Sequence, residues 1–209
     1  MTATNPLYAQ SNDLGTWNII NIKYNLNAQY SMFFESQLRS LKTYDDFHYY
    51  EYKGGISYKP IQNVSLTLAA GSYQTYKEGG DFLLPKNNDE FRIWPQLILS
   101  QKISRLNIEQ RYRAEFRFTS NGFRNRYRYR LGVSYPLSEK IPMTLTMSNE
   151  LFFTDREPYF ERNRLAFGLN YKLNKNSSIL LGYLHQFDYK INDETGRDFL
   201  QVGYYIELF

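Results

Sequence analysis

Residues 105–135 read RLNIEQRYRAEFRFTSNGFRNRYRYRLGVSY, and their pattern decides the fold. Leu106, Ile108, Tyr112, Ala114, Phe116 and Phe118 share one parity, and Asn107, Glu109, Arg111, Arg113, Glu115 and Arg117 the other. After TSNG the alternation resumes, with Tyr127, Tyr129, Leu131, Val133 and Tyr135 against Arg124, Arg126, Arg128 and Arg130. A period of two belongs to a β-strand, whose successive side chains point to opposite faces. A helix would scatter these arginines around its whole surface. The stretch is a hairpin with one apolar face and one charged face.

The same alternation runs through the rest of the chain. It predicts strands at 16–25, 29–40, 47–58, 63–75, 90–102, 105–118, 123–135, 142–153, 159–172, 177–188 and 197–208, with no helical period anywhere. Their connections alternate between very short turns and longer or more polar loops at 41–46, 76–89, 119–122, 154–158 and 189–196. IKYNLN, ISYKPIQN, VSYPLSEK and LNYKLNKN each end a strand on a tyrosine and enter a tight turn. Those tyrosines (Tyr24, Tyr58, Tyr135 and Tyr171) and the terminal Phe209 fall one or two hairpins apart, as an aromatic girdle at a membrane interface would.

Composition narrows the class. The 209 residues carry 20 Tyr and 15 Phe, a formal net charge of +4 and no cysteine, which excludes disulfides, thiol catalysis and thiolate metal sites. Mean hydropathy is −0.59, which leaves no stretch apolar enough for a transmembrane helix. A transmembrane barrel averages out hydrophilic, so it stays in contention. Most predicted strands run longer than the roughly 5–6 residues usual in globular sheets and suit the roughly 9–11 of a tilted membrane-spanning strand. Arginine, a planar donor fitted to desolvated carboxylate pairs, dominates the polar face.

The expectation is an all-β, transmembrane antiparallel up-and-down barrel of about 10–12 strands, with short periplasmic turns and longer external loops. Bacterial barrels use even strand numbers, so ten or twelve is expected. Residues 11–209 form the single barrel, and residues 1–10 read as a signal-peptide remnant or a disordered N-terminus. The lumen would be lined by Glu35, Arg39, Glu51, Arg92, Glu109, Arg111, Arg113, Glu115, Arg117, Arg124, Arg126, Arg128, Arg130, Glu150, Arg162 and Arg164.

The entry SNDLGTWNIINIKYNLN, the EFRIWPQ strand, the QRYRAEFRF…FRNRYRYRLG pair and ERNRLAFGLNYKLN resemble a family of outer-membrane barrels from Bacteroidota, known as a domain of unknown function. The resemblance covers about residues 11–209 and implies a fold and the outer membrane of a Gram-negative bacterium. The terminal GYYIELF resembles the signal read by the barrel-assembly machinery. Membrane lipids, that machinery and other outer-membrane proteins are the expected partners.

Chemistry has few candidates. His48 and His185 are the only histidines, no metal-ligand spacing appears, and no cofactor or catalytic residue is expected. Loop acids such as Asp81, Asp155 and Asp193 read as solvated. RNRYRYR segregates its arginines and aromatics onto opposite faces, which argues against nucleic acid, where both should share one exposed face. Three functions stay open, in this order: a structural or accessory barrel plugged by its own ion pairs, a small anion-preferring pore, and a lipid-acting enzyme. FLLP, Phe82–Pro85, reads either as a partner contact or as a loop folded back on the rim.

Overall fold

The computed structural model describes residues 13–138, 140–189 and 194–209, so the segment 1–10 lies outside the described residues. Eleven strands close into one barrel: β1 (Leu14–Asn25), β2 (Tyr30–Lys42), β3 (Asp45–Ile61), β4 (Val64–Lys77), β5 (Leu83–Ile103), β6 (Leu106–Thr119), β7 (Gly122–Pro136), β8 (Met143–Thr154), β9 (Phe160–Lys172), β10 (Ser177–Asp188) and β11 (Thr195–Leu208). No helix occurs among the described residues.

The expectation of ten or twelve strands is corrected to eleven, for a geometric reason. Up-and-down strands alternate direction, so an odd number leaves the first and last pointing the same way. The barrel therefore closes on a parallel seam, from Leu14↔Asp198 to Tyr24↔Leu208, while every other neighbouring pair is antiparallel. Eleven consecutive register pairs make this seam as long as its antiparallel neighbours, which offsets the slightly weaker parallel ladder.

We call the rim where β1 begins the upper rim and the rim where β11 ends the lower rim. The fully described connections at the upper rim span 43–44, 78–82, 120–121 and 155–159; those at the lower rim span 26–29, 62–63, 104–105 and 173–176. The sequence contrast between loops and turns is thus softened. Most of the polar 76–89 segment is a hairpin arm: β4 runs to Lys77 and β5 starts at Leu83, beyond its first partner on β6. Phe82 folds back on the outer rim, its ring 5.2 Å from Tyr76 and 5.9 Å from Tyr50, and its N–H donates to the Phe47 carbonyl at 2.7 Å.

The apolar parity faces outward. Ile20, Phe34, Ile56, Leu68, Phe116 and Leu181 stand exposed on the barrel exterior, Leu68 at 63%. The charged parity faces inward. Inward side chains of non-adjacent strands meet, as Arg117 on β6 and Glu161 on β9 do at 3.7 Å, and the largest fully buried side chains, Trp94, Phe152 and Glu115 at 1% exposed each, belong to the lumen. The core of this protein is therefore largely polar and lies inside the barrel.

Candidate functional site: the charged lumen

All sixteen lumen residues expected from the sequence line one cavity of about 1390 Å³ or lie buried behind its lining. The register explains how they must pair. β6 and β7 set Arg111 opposite Arg130, Arg113 opposite Arg128 and Arg117 opposite Arg124, while β5 sets Arg92 opposite Arg117. Like charges directly opposite repel. Neutralisation has to come from diagonal neighbours and from across the barrel.

Glu115 carries most of that task. Its side chain is wholly buried, and four arginines from three strands face it: Arg128 at 2.5 Å, Arg113 at 3.4 Å, Arg126 at 3.6 Å and Arg92 at 3.8 Å. Glu150 on β8 takes Arg111 at 2.5 Å and Arg128 at 2.8 Å. Toward the upper rim, Glu90 accepts from both Arg92 and Arg117, with Arg92 Nε at 2.7 Å. Glu161 accepts a fork from Arg126 at 2.7 and 2.5 Å. Such bidentate, charge-assisted contacts fix guanidinium orientation and are the stronger kind of hydrogen bond.

Across the lumen a second group forms on β1–β3. Arg39 reaches Glu51 at 3.2 Å, Tyr49 donates to Glu51, and Lys53 bridges Glu51 and Glu35, the latter at 2.5 Å. Arg162 pairs with Asp188, and Arg130 with Glu109 at 2.5 Å. Arg164 donates to the neutral Gln186 at 2.9 Å and has no carboxylate in ion-pair range among the described residues. Leaving aside Lys53, which bridges Glu51 and Glu35, and the pair Arg130–Glu109, eight arginines (Arg39, Arg92, Arg111, Arg113, Arg117, Arg126, Arg128 and Arg162) share six carboxylates (Glu51, Glu90, Glu115, Glu150, Glu161 and Asp188), and the lumen arginines Arg124 and Arg164 have none in ion-pair range among the described residues.

Aromatic rings fill the space between the ions. Arg39 lies 3.4 Å from the Trp17 ring centroid and Arg164 4.7 Å from it. Phe152 lies under Arg128 at 4.5 Å and Arg164 at 4.7 Å. Arg92 covers Tyr73 at 3.7 Å. A desolvated guanidinium over a ring face gains cation–π attraction and loses no donor direction in the ring plane. Beside the seam the inner wall turns apolar, where Trp17, Ile19, Leu184 and Phe199 pack together.

Sequence reasoning missed Trp17, Tyr73, Trp94 and Phe152, along with Glu90, Glu161 and Asp188. Parity would have found the aromatics: Trp94 is in phase with Arg92 and Gln96, and Phe152 with Glu150. Glu161 and Asp188 sit at the ends of their strands at the upper rim, and Glu90 lies opposite the last residue of β6. The girdle residues Tyr24, Tyr135, Tyr171 and Phe209 stand exposed at the lower rim, and Tyr58 stacks on Tyr30 there at 4.9 Å.

The two histidines are far apart in role. His48 is buried at the β2–β3 bulge. His185 faces outward, its Nδ1 2.7 Å from Asp198, whose same oxygen accepts from the Tyr183 hydroxyl at 2.5 Å. No serine or threonine hydroxyl bonds to His185 among the described residues. No cluster of three or more potential metal ligands occurs among them either.

Fold and lumen together define a closed β-barrel with an apolar exterior and an ion-paired interior. Residues 14–197 match the family described as Protein of unknown function (DUF2490), and the chain belongs to that family. Comparison with curated proteins finds no match. Among solved structures the chain is similar to an anion-selective porin from Comamonas acidovorans, at 11% identity and a TM-score of 0.43, over 82% of this chain and 55% of that one.

Proposed function

We propose that this chain is an integral barrel of a Gram-negative outer membrane, with its lumen held shut by its own ion pairs, and that it serves as a structural or accessory subunit. The exposed apolar exterior supports membrane insertion: residues such as Ile20, Ile56, Leu68 and Leu181 are each more than half exposed, on strands of 12 to 21 residues. Surface of that kind needs lipid or a partner to cover it. Membrane lipids are the direct partner, the barrel-assembly machinery inserts the chain, and a second outer-membrane protein is the expected client.

The observation that carries the closed lumen is Glu115. A carboxylate in a water-filled channel would be hydrated; this one is sealed from solvent by four guanidiniums and the rings beside them. The surplus of arginine favours a second reading, a small anion-preferring pore opened by a partner.

The test begins with cell fractionation. The full chain should sediment with outer membranes, resist alkaline extraction and migrate faster on gels unheated than heated. Liposomes carrying it should not swell in small sugars. Recovery in the soluble fraction would refute the membrane reading, and swelling would refute the closed lumen.

A further inference from the structure

The ion pairs of the lumen do not balance, and the imbalance has a location. Arg164 is the register neighbour of Glu150 across β8 and β9, yet Glu150 is occupied by Arg111 and Arg128. Arg164 turns instead to Gln186 and lies between the Trp17 and Phe152 rings, 4.7 Å from each centroid. Arg162, two residues along the same strand, points into the same lumen and has one carboxylate, Asp188. Arg39 shares the Trp17 ring with Arg164, and its Nε is buried without a hydrogen-bond partner.

Three guanidiniums thus gather around two rings with less than their share of negative charge. Leaving charge uncompensated in a desolvated interior is costly. All three line the cavity, which small polar side chains such as Ser57, Thr146 and Ser148 keep wide toward the lower rim, so a small solute can reach them.

We propose that Arg39, Arg162 and Arg164 form a binding site for a small phosphate-class oxyanion, which completes the plug as its missing counter-charge. Guanidinium forks match phosphate geometry, and Gln186 offers a neutral amide alongside. The inference rests on the closed-lumen reading only in placing the site within a plug. Its chemistry is that of free phosphate or of a phosphate headgroup.

The experiment is calorimetric titration of the full-length chain, refolded in a zwitterionic detergent without phosphate in its headgroup, with inorganic phosphate at constant ionic strength set by chloride. A saturable one-to-one heat is expected, with thermal unfolding moved upward by phosphate over chloride. Arg164→Gln should weaken binding about tenfold or more, whereas Lys59→Gln at the lower rim should leave it unchanged. A short-chain phosphatidylglycerol added below its micellar concentration separates the sources: binding weaker than free phosphate assigns the small anion, and tighter binding assigns the headgroup. If Arg164→Gln does not fold, the wild-type titration still decides. No saturable heat beyond that of chloride overturns the site, as does a Lys59→Gln effect as large as that of Arg164→Gln. Liposome swelling by wild type would instead refute the closed lumen and leave the titration standing.

Discussion

The lumen has two halves built on the same alternating strands, and they behave as different materials. Toward the upper rim and the middle, inward positions hold Arg, Glu, Trp and Phe, and the side chains seal one another from solvent. Toward the lower rim many inward positions are short and polar, Ser57, Ser65, Thr67, Ser100, Asn107, Ser134, Thr146 and Ser148, with Lys23, Lys59 and Glu109 among them, and Ser100 and Asn107 are exposed. Barrel closure fixes one radius for both halves; side-chain length decides which half is filled. The large buried side chains therefore gather in the upper half and middle, and on the closed-lumen reading proposed above the plug sits there.

Substitutions should separate the halves by size of effect. Glu115→Ala removes the carboxylate that four arginines share and should cost about 3–5 kcal/mol, as breaking a buried ion pair does, read as the denaturant midpoint of the heat-modifiable band in detergent. Phe152→Ala should cost about 3 kcal/mol in the same assay, because the ring beneath Arg128 and Arg164 is lost.

Gly55→Val tests the wall rather than the plug. A Cβ there would lie 2.4 Å from that of Ala69 and 2.6 Å from the Leu68 carbonyl oxygen, and about 1–3 kcal/mol of strain should follow. At the lower rim Lys23→Ala breaks a half-exposed pair with Glu207 at 2.6 Å and should cost less than about 1 kcal/mol. A Lys23→Ala loss matching that of Glu115→Ala would erase the distinction between the halves.

Much of this was legible in the sequence, because strand parity is strict. Within the hairpin 105–135, parity assigns the arginines and glutamates from Glu109 to Arg130 to the lumen, and there they line the cavity or, like Glu115, lie buried behind its lining. What parity cannot give is register. That Arg113 stands opposite Arg128, and Glu115 opposite Arg126, depends on a two-residue turn at 120–121, and a shift of one residue would have inverted the faces. The parallel seam was hidden too, since it joins residues some 180 positions apart in sequence, Trp17↔Gln201 among them. The β4–β5 arm was masked by Gly79, Gly80 and Asp81, which read as a long loop while the ladder continues on both sides of them. Trp94 and Phe152 were overlooked because an aromatic on a charged face looks like a break in the pattern until its guanidinium neighbours are known.

The most direct test is single-channel recording in planar bilayers, comparing wild type with Glu115→Ala, both verified as folded by gel mobility. The account predicts a silent wild type and discrete current steps in the variant, whose four facing arginines have lost their shared carboxylate. Discrete steps from the wild type would contradict it.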